Sequence, residues 1–179
     1  TPESAQLLSK LGHKCLIEKG AGSSAGFSDA EYKAAGVKVM ASSSDLIKNS
    51  DALIKVNQPT TAEIKRFKVG QILITFIWPA QNPQLVKDLN KKKITSLSMD
   101  MIPRISRAQK MDALSSMANI AGYRAVIEAA NNFGRFFTGQ ITAAGRVPPA
   151  KVLVIGAGVA GLAAIGAAQG LGAVVRAFD

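Results

Sequence analysis

With 179 residues, 47% of them hydrophobic and 19% charged, the chain is long enough for one complete domain and part of another, and apolar enough to bury a core. No apolar run approaches the roughly 18 residues that a membrane span needs. No export leader is visible either, although the start at Thr1-Pro2 reads as a cut that could have removed one, so this piece is expected to be soluble. The net charge of +10 raises nucleic acid as a partner. Its lysines, however, are dispersed over expected helix surfaces, the densest run is only Lys91-Lys92-Lys93, and no aromatic residues interleave with them, so a solvated face is the reading and nucleic acid is not expected. Such a surface can still speed docking to an acidic partner domain. Cys15, the single cysteine, excludes a disulfide within the chain and reads as a buried thiol. No metal site is expected.

In chain order, a helix runs from Thr1 to about Leu11, with Thr1 as N-cap and Pro2 at the first helical position. A strand follows near Lys14 to Glu18, then a helix opened by the capping box Ser28-Asp29-Ala30-Glu31, and a strand at Val37 to Met40. The alternation continues with a helix at Ser44 to Asn49, a strand at Ala52 to Val56, a helix at Thr61 to Phe67 and the strongest strand, Gln71 to Ile77. A helix from Pro83 to Lys91 then leads to a strand at Ile94 to Met99. Repeated alternation implies a parallel sheet with helices on both faces. The stretch from about Gln109 to Phe137 has helical composition and suits a connector, with Gly145 to Pro149 as the hinge into a second lobe. The expected fold is α/β, two Rossmann-like lobes with parallel sheets, the second truncated after its second strand. The domains are then residues 1–136, ending in the connector helix, and residues 137–179. Gly20-Ala21-Gly22 imitates a phosphate loop, but the spacing to Gly26 is one residue too long and Phe27 and Ser28 interrupt helix entry, so it reads as a structural turn.

The second lobe carries the clearest motif. An apolar strand from Lys151 to Ile155 enters Gly156-Ala157-Gly158-Val159-Ala160-Gly161, a helix continues to about Leu171, and a second apolar strand ends on Asp179. Gly156 permits the tight turn, Gly158 lets backbone approach a pyrophosphate, and Gly161 lets the helix pack against the strand. Helix N-terminal amides beginning at Val159 then face phosphate oxygens. A carboxylate at Asp179 accepts from a ribose 2'-hydroxyl and repels a 2'-phosphate, favouring NAD over NADP.

Between the lobes, the segment from Ile102 to Ser116 places polar chemistry directly after a strand end, the ligand edge of a parallel sheet. If a helix begins near Ser106, then Gln109, Asp112 and Ser115 share one face of its first turns and Arg104 sits in the loop before it. An amide, a carboxylate and a hydroxyl so arranged can hold a carboxamide and a ribose, and the arginine can pair with a phosphate or the carboxylate. The same spacing also fits an exposed helix face whose N-terminal acid is stabilised by the helix dipole.

The run from Ile102 to Val126, with Phe133 to Ala168 after it, resembles the alanine dehydrogenase/transhydrogenase family, and within it the NAD(H)-binding alpha subunits of proton-translocating NAD(P) transhydrogenases. The resemblance covers nearly the whole chain and is most specific from Thr75 onward. It implies a nicotinamide-side loop at Arg104, Ile105, Ser106, Arg107, Gln109 and Asp112 with Ser115 nearby, of which Arg104, Gln109 and Asp112 would act in catalysis. It also implies a nucleotide loop at Gly156, Gly158, Val159 and Gly161, and an adenosine-ribose acid at Asp179. Hydride would pass directly from NADH bound here to NADP(H) on a partner domain, in an enzyme of the Si-specific/Re-face proton-translocating type. A membrane domain would couple that transfer to proton movement. A homodimer of this subunit, on the cytoplasmic face of the bacterial inner membrane or the mitochondrial matrix side, would follow from the same resemblance.

Alanine dehydrogenases share the resemblance and are the second enzyme reading. They use a lysine in a Lys-Val-x-x-Pro strand end, kept here at Lys55-Val56-Asn57-Gln58-Pro59, and a histidine where this chain has Trp78. Loss of a positioned acid or base typically lowers rates by about 10² to 10⁴, which weighs against a 2-oxo-acid dehydrogenase. Trp78 and Pro79 read instead as a wall between lobes, and His13, the single histidine, reads as a surface residue. A third class is a non-catalytic NAD-binding fragment, since the family's first strand before Thr1 and everything after Asp179 are missing, and the fragment alone is expected to be inactive.

Overall fold

A computed structural model describes residues 1–179, which form two compact units, Thr1–Met101 and Ile102–Asp179. In the first, α1 (Pro2–Lys10), β1 (Leu16–Glu18), α2 (Asp29–Ala34), β2 (Lys38–Met40), α3 (Ser43–Asn49) and β3 (Ala52–Ile54) are followed by α4 (Thr61–Arg66), β4 (Ile72–Thr75), α5 (Pro83–Lys91) and β5 (Thr95–Ser98). β1 pairs with β2, and β3-β4-β5 form a three-stranded sheet with β4 central, every pairing parallel. Four of these helices start on side-chain caps, two of them, Thr1 and Ser28, as expected from the sequence. Thr1, Ser28, Ser42 and Thr60 each accept a first-turn amide, and Ser28–Glu31 and Thr60–Glu63 complete reciprocal capping boxes.

The first unit's core gathers around β4. Leu73 is fully buried among Ile47, Leu53, Ile64, Phe67, Ile77, Leu89 and Ile94. Two buried polar side chains are satisfied by backbone. Gln71 Nε2 donates to the carbonyls of Ile47 (3.0 Å) and Ser50 (2.7 Å) while its Oε1 accepts from Lys68 N, and Thr75 Oγ1 lies 3.1 Å from the Val56 and Asn57 carbonyls. A smaller cluster of Tyr32, Ala35 and Val37 packs with the half-buried Cys15. The Gly20–Gly22 segment is a turn under this cluster, since a Cβ on Gly22 would meet the Tyr32 ring at 2.6 Å.

The second unit contains α6 (Ala113–Asn132), the antiparallel hairpin β6 (Gln140–Thr142) and β7 (Gly145–Val147), then β8 (Lys151–Ile155), α7 (Val159–Gly170) and β9 (Val174–Phe178). β8 and β9 pair in parallel with α7 as the crossover. One face of this sheet is partly covered through Val152, Val154 and Val175, whereas Leu153, Ile155 and Phe178 on the other face are exposed. Two sequence expectations change here. Gly145–Val147, expected as part of a hinge, are instead the second strand of a hairpin that reverses at residues 143–144, with Gly145 at φ +128°. The connector helix spans only 113–132 and packs on α7, so the packing division falls at Met101/Ile102, whereas the expected domain division after residue 136 follows chain order. No helix is long and apolar enough to cross a membrane.

Because Leu73 is enclosed on all sides, Leu73→Ala leaves a cavity that the rigid strand cannot fill. Its unfolding free energy in urea is expected to fall by about 2 to 5 kcal/mol; a loss below about 1 kcal/mol would show that the core relaxes around the site.

Candidate functional site: the dinucleotide loop and the polar cap of helix α6

The turn from β8 into α7 has the backbone geometry that the glycines predict. Gly156 adopts φ +97°, a left-handed conformation that side chains rarely take. A Cβ on Gly161 would lie 1.8 Å from the Gly156 carbonyl oxygen, so only glycine lets the helix close on the turn. Above Gly158, by contrast, a Cβ would meet nothing within 4 Å. Gly158 is the N-cap of α7 and offers no side chain to the first-turn amides, and no acidic residue stands in that turn. These amides are donors without a side-chain partner beside open space, which fits a phosphate group.

Asp179 closes the same loop, its Oδ1 accepting from Ala157 N at 3.0 Å while Gly156 N donates to the Phe178 carbonyl. The carboxylate is thereby fixed at the tip of β9, beside the phosphate loop, and its second oxygen has no protein partner. A dinucleotide fits this arrangement of amides, open backbone and an acid at the strand tip.

The polar cluster before α6 is built differently from its expected form. Ser106 to Met111 form a 3-10 segment, and the α-helix begins only at Ala113, with Asp112 as N-cap at φ −78°, ψ 80°. Gln109, Asp112 and Ser115 therefore do not line one face of a continuous helix. The physical reason is the cap itself: Asp112 Oδ1 accepts from Ser115 N at 2.9 Å and Oδ2 from Ser115 Oγ at 2.6 Å, which outcompetes helix continuation through residue 112. Those bonds, from the Ser115 side chain first and then its amide, hold the Asp112 carboxyl below the usual aspartate range, assisted by the nearby Arg104 charge. Arg104 and Asp112 do not form a direct ion pair. Arg104, Ile105, Ser106, Arg107 and Gln109 are all exposed, and Asp112 and Ser115 are half-buried. The cluster thus presents a guanidinium and an amide to solvent beside an ionised, immobilised carboxylate.

Sequence reasoning passed over Asp100 and Gly122. Asp100, just after β5, accepts from Ile77 N (2.7 Å), Trp78 N (3.1 Å) and Ser98 Oγ (2.7 Å). Asn82 Nδ2 donates to the carbonyls of Ile77 and Trp78, and Gln58 Nε2 also donates to Ile77 O. This network holds Trp78 at φ +50°, uncommon for a bulky residue, with its ring stacked at 6.4 Å on Phe76. The nearby Lys55 is not a free amine, because its Nζ bonds Glu63 at 2.5 Å. His13 is exposed. The signal for Gly122 was available, a glycine inside an otherwise alanine-rich helix, which costs about 1 kcal/mol relative to alanine and therefore points to a packing demand.

A parallel βαβ unit with a glycine turn open to phosphate points to a dinucleotide-binding class of protein, and comparison with known proteins narrows it. The family models for the alanine dehydrogenase/PNT N-terminal and C-terminal domains match residues 1–121 and 125–179. The chain belongs to the alanine dehydrogenase/pyridine nucleotide transhydrogenase family. It is 66% identical, over its whole length and 34% of the relative's, to NAD(P) transhydrogenase subunit alpha of Cereibacter sphaeroides. It is 35% identical, over its whole length and 48% of the relative's, to alanine dehydrogenase of Methanococcus maripaludis. Among solved structures, transhydrogenase from Sinorhizobium meliloti superposes with a TM-score of 0.96 at 42% identity, covering all of this chain and 53% of that one. An L-alanine dehydrogenase gives 0.89 at 31%, covering all of this chain and 50% of that one. The chain spans between about a third and a half of the relatives it matches.

The Asp100 latch has a pH signature. Partial burial works against ionisation, but the bonds from Ser98, Ile77 and Trp78 outweigh it and hold the carboxyl below its ordinary range. A depressed pKa means that the latch stabilises fully above the unfolded value of about 3.9 and is lost as pH falls through the lower folded value. Trp78 is the single tryptophan, so its fluorescence should change with a midpoint below about 3.9, and Asp100→Ala should show the acid-form emission already at neutral pH. Identical emission in both proteins across the range would rule the latch out.

Proposed function

We propose that this chain is the NAD(H)-binding part of a proton-translocating NAD(P) transhydrogenase, passing hydride from NADH to NADP held by a partner domain. The observation that carries this reading is 66% identity with a transhydrogenase alpha subunit across every residue of the chain, joined to a glycine turn with unpartnered amides at α7. Alanine dehydrogenase chemistry is the alternative. Against it stands Trp78, where that family's histidine would act, and Lys55, which is tied to Glu63.

In this reading the first-turn amides of α7 and the open backbone at Gly158 hold the pyrophosphate, and Asp179 takes the adenosine ribose, favouring NAD(H) over NADP(H). Bound NADH supplies the hydride. Direct transfer between two nicotinamides needs no protein nucleophile or proton relay, so the chain contributes by orientation and exclusion of water. The exposed Gln109 amide suits the nicotinamide carboxamide, the fixed Asp112 carboxylate suits a ribose hydroxyl, and Arg104 supplies a cation for phosphate or carboxylate. Ile105, Ser106 and Arg107 shape the loop around them, and Ser115 keeps Asp112 ionised and oriented.

The proposed setting is a complex with an NADP-binding domain and a membrane domain, on the cytoplasmic face of the bacterial inner membrane or the matrix side of the mitochondrial one. Self-association into a homodimer is supported by exposed Met117, Ile120 and Tyr123 on α6 and Ile141 on the hairpin. The 179 residues alone are proposed to be inactive in turnover.

Calorimetry on the complete alpha subunit is expected to show NADH bound more tightly than NADPH, and Asp179→Ala to narrow that gap; equal affinity of the unmodified subunit for both would sink the selectivity claim. Mixed with the NADP-binding partner, Gln109→Asn or Asp112→Asn should slow single-turnover hydride transfer by at least about tenfold while changing NADH affinity less. A loss of affinity in full proportion to rate would make the cluster a plain binding element, and no change in either would make it a solvated cap.

A further inference from the structure

Helix α6 carries the polar cap at one end and meets the nucleotide loop in its middle. The meeting point is Gly122, which is buried. A Cβ built there would lie 2.0 Å from the Ala160 carbonyl oxygen, 2.7 Å from its carbonyl carbon and 2.9 Å from its Cα. All three are backbone atoms of the first turn of α7, which cannot swing aside as the tip of a flexible side chain can. Non-bonded carbon atoms settle at about 3.5 to 4.0 Å, so a methyl group at 122 requires the two helices to separate by about 1 Å or more. Ala160 lies inside the Gly156–Gly161 turn itself, so the separation changes the distance between α6 and the phosphate loop.

Ten residues earlier on the same helix stands Asp112, about 15 Å away along the axis at 1.5 Å per residue. Between them α6 is uninterrupted helix, a rigid spacer. A tightly packed helix pair has discrete arrangements rather than continuous play, and the arrangement here is set by the absence of one side chain. Glycine in general is not what matters, since a Cβ at Gly166 or Gly170 of α7 would meet nothing within 4 Å.

We propose that Gly122 is a positioning residue of the dinucleotide site: by letting α6 and α7 touch backbone to backbone, it fixes the separation between the phosphate loop and the Asp112 cap, so that one NADH engages both. This rests on reading those two elements as parts of a single NAD(H) site. The residue touches no ligand itself, and its effect appears only for ligands that span both elements. ADP, which ends at the pyrophosphate, needs the loop and Asp179 alone.

The test uses the complete alpha subunit as wild type, Gly122→Ala and the matched control Gly166→Ala. Folding is checked by circular dichroism, ADP and NADH binding by calorimetry, and single-turnover transfer is measured to the NADP-loaded partner. Gly122→Ala is expected to bind ADP within about threefold of wild type while NADH affinity or transfer rate falls by at least about tenfold, with Gly166→Ala unchanged in all three. Equal losses for ADP and NADH would mean a general packing role and overturn the proposal, as would wild-type values throughout. A wild-type subunit that binds ADP but shows no added affinity or reactivity from the nicotinamide half would instead overturn the single-site reading, and this proposal with it. Should Gly122→Ala fail to fold, the single variant Ala160→Gly, which adds no atom to the contact and loosens only the first turn of α7, carries the same comparison with the same outcomes.

Discussion

Two places where backbone meets backbone, with no room for a single methyl group, set the geometry of the second unit. At Gly161 the helix α7 closes on the turn that precedes it, and at Gly122 α6 closes on the first turn of α7. Each contact removes atoms that any other residue would bring, so the α7 N-terminus is held by chain geometry rather than by side-chain bonds. Its amides are consequently left unpartnered, which would be unfavourable in a buried cap and is useful beside open space. The same glycine chemistry that builds the turn thus leaves it able to bind an anion.

The first unit solves a different problem with charge. Its central strand β4 ends in a left-handed turn that carries a large aromatic side chain, and one carboxylate, Asp100, gathers the two amides of that turn together with a serine hydroxyl. Asn82 and Gln58 take the carbonyls that remain. The result fixes an otherwise disfavoured backbone at the carboxyl end of a parallel sheet, the edge at which α/β proteins place ligands. The turn also holds the Trp78 ring stacked on Phe76, on a backbone that a bulky residue rarely adopts.

Electrostatics in the second unit follow the same economy. Asp112 ends the 3-10 segment, caps α6 through Ser115 and stays ionised because those bonds favour the charged form. Asp179 likewise spends one oxygen on the loop amide of Ala157 and keeps the other free. In each case a carboxylate is oriented by local hydrogen bonds within the chain.

The sequence by itself determined the alternation of helices and strands in the first unit, the parallel class and the strand-turn-helix-strand order of residues 151–178, because caps at Thr1 and Ser28, apolar strands and the Gly156–Gly161 spacing are all local signals. It also marked Arg104, Gln109, Asp112 and Asp179 as chemistry at strand or helix ends. Only the tertiary structure decided that Asp112 caps α6 in place of lining its face, since a cap and an interior helical position share the same spacing and differ in which amide the carboxylate reaches. The hairpin at 140–147 was hidden because two three-residue strands carry no periodicity, and the Asp100 latch because the amides it gathers lie more than twenty residues away in the chain. Gly122 was visible as an oddity within a helix, but what it makes room for is another segment's backbone. Contacts between distant backbone atoms leave no pattern in a single sequence, and here they set how closely α6 and α7 approach.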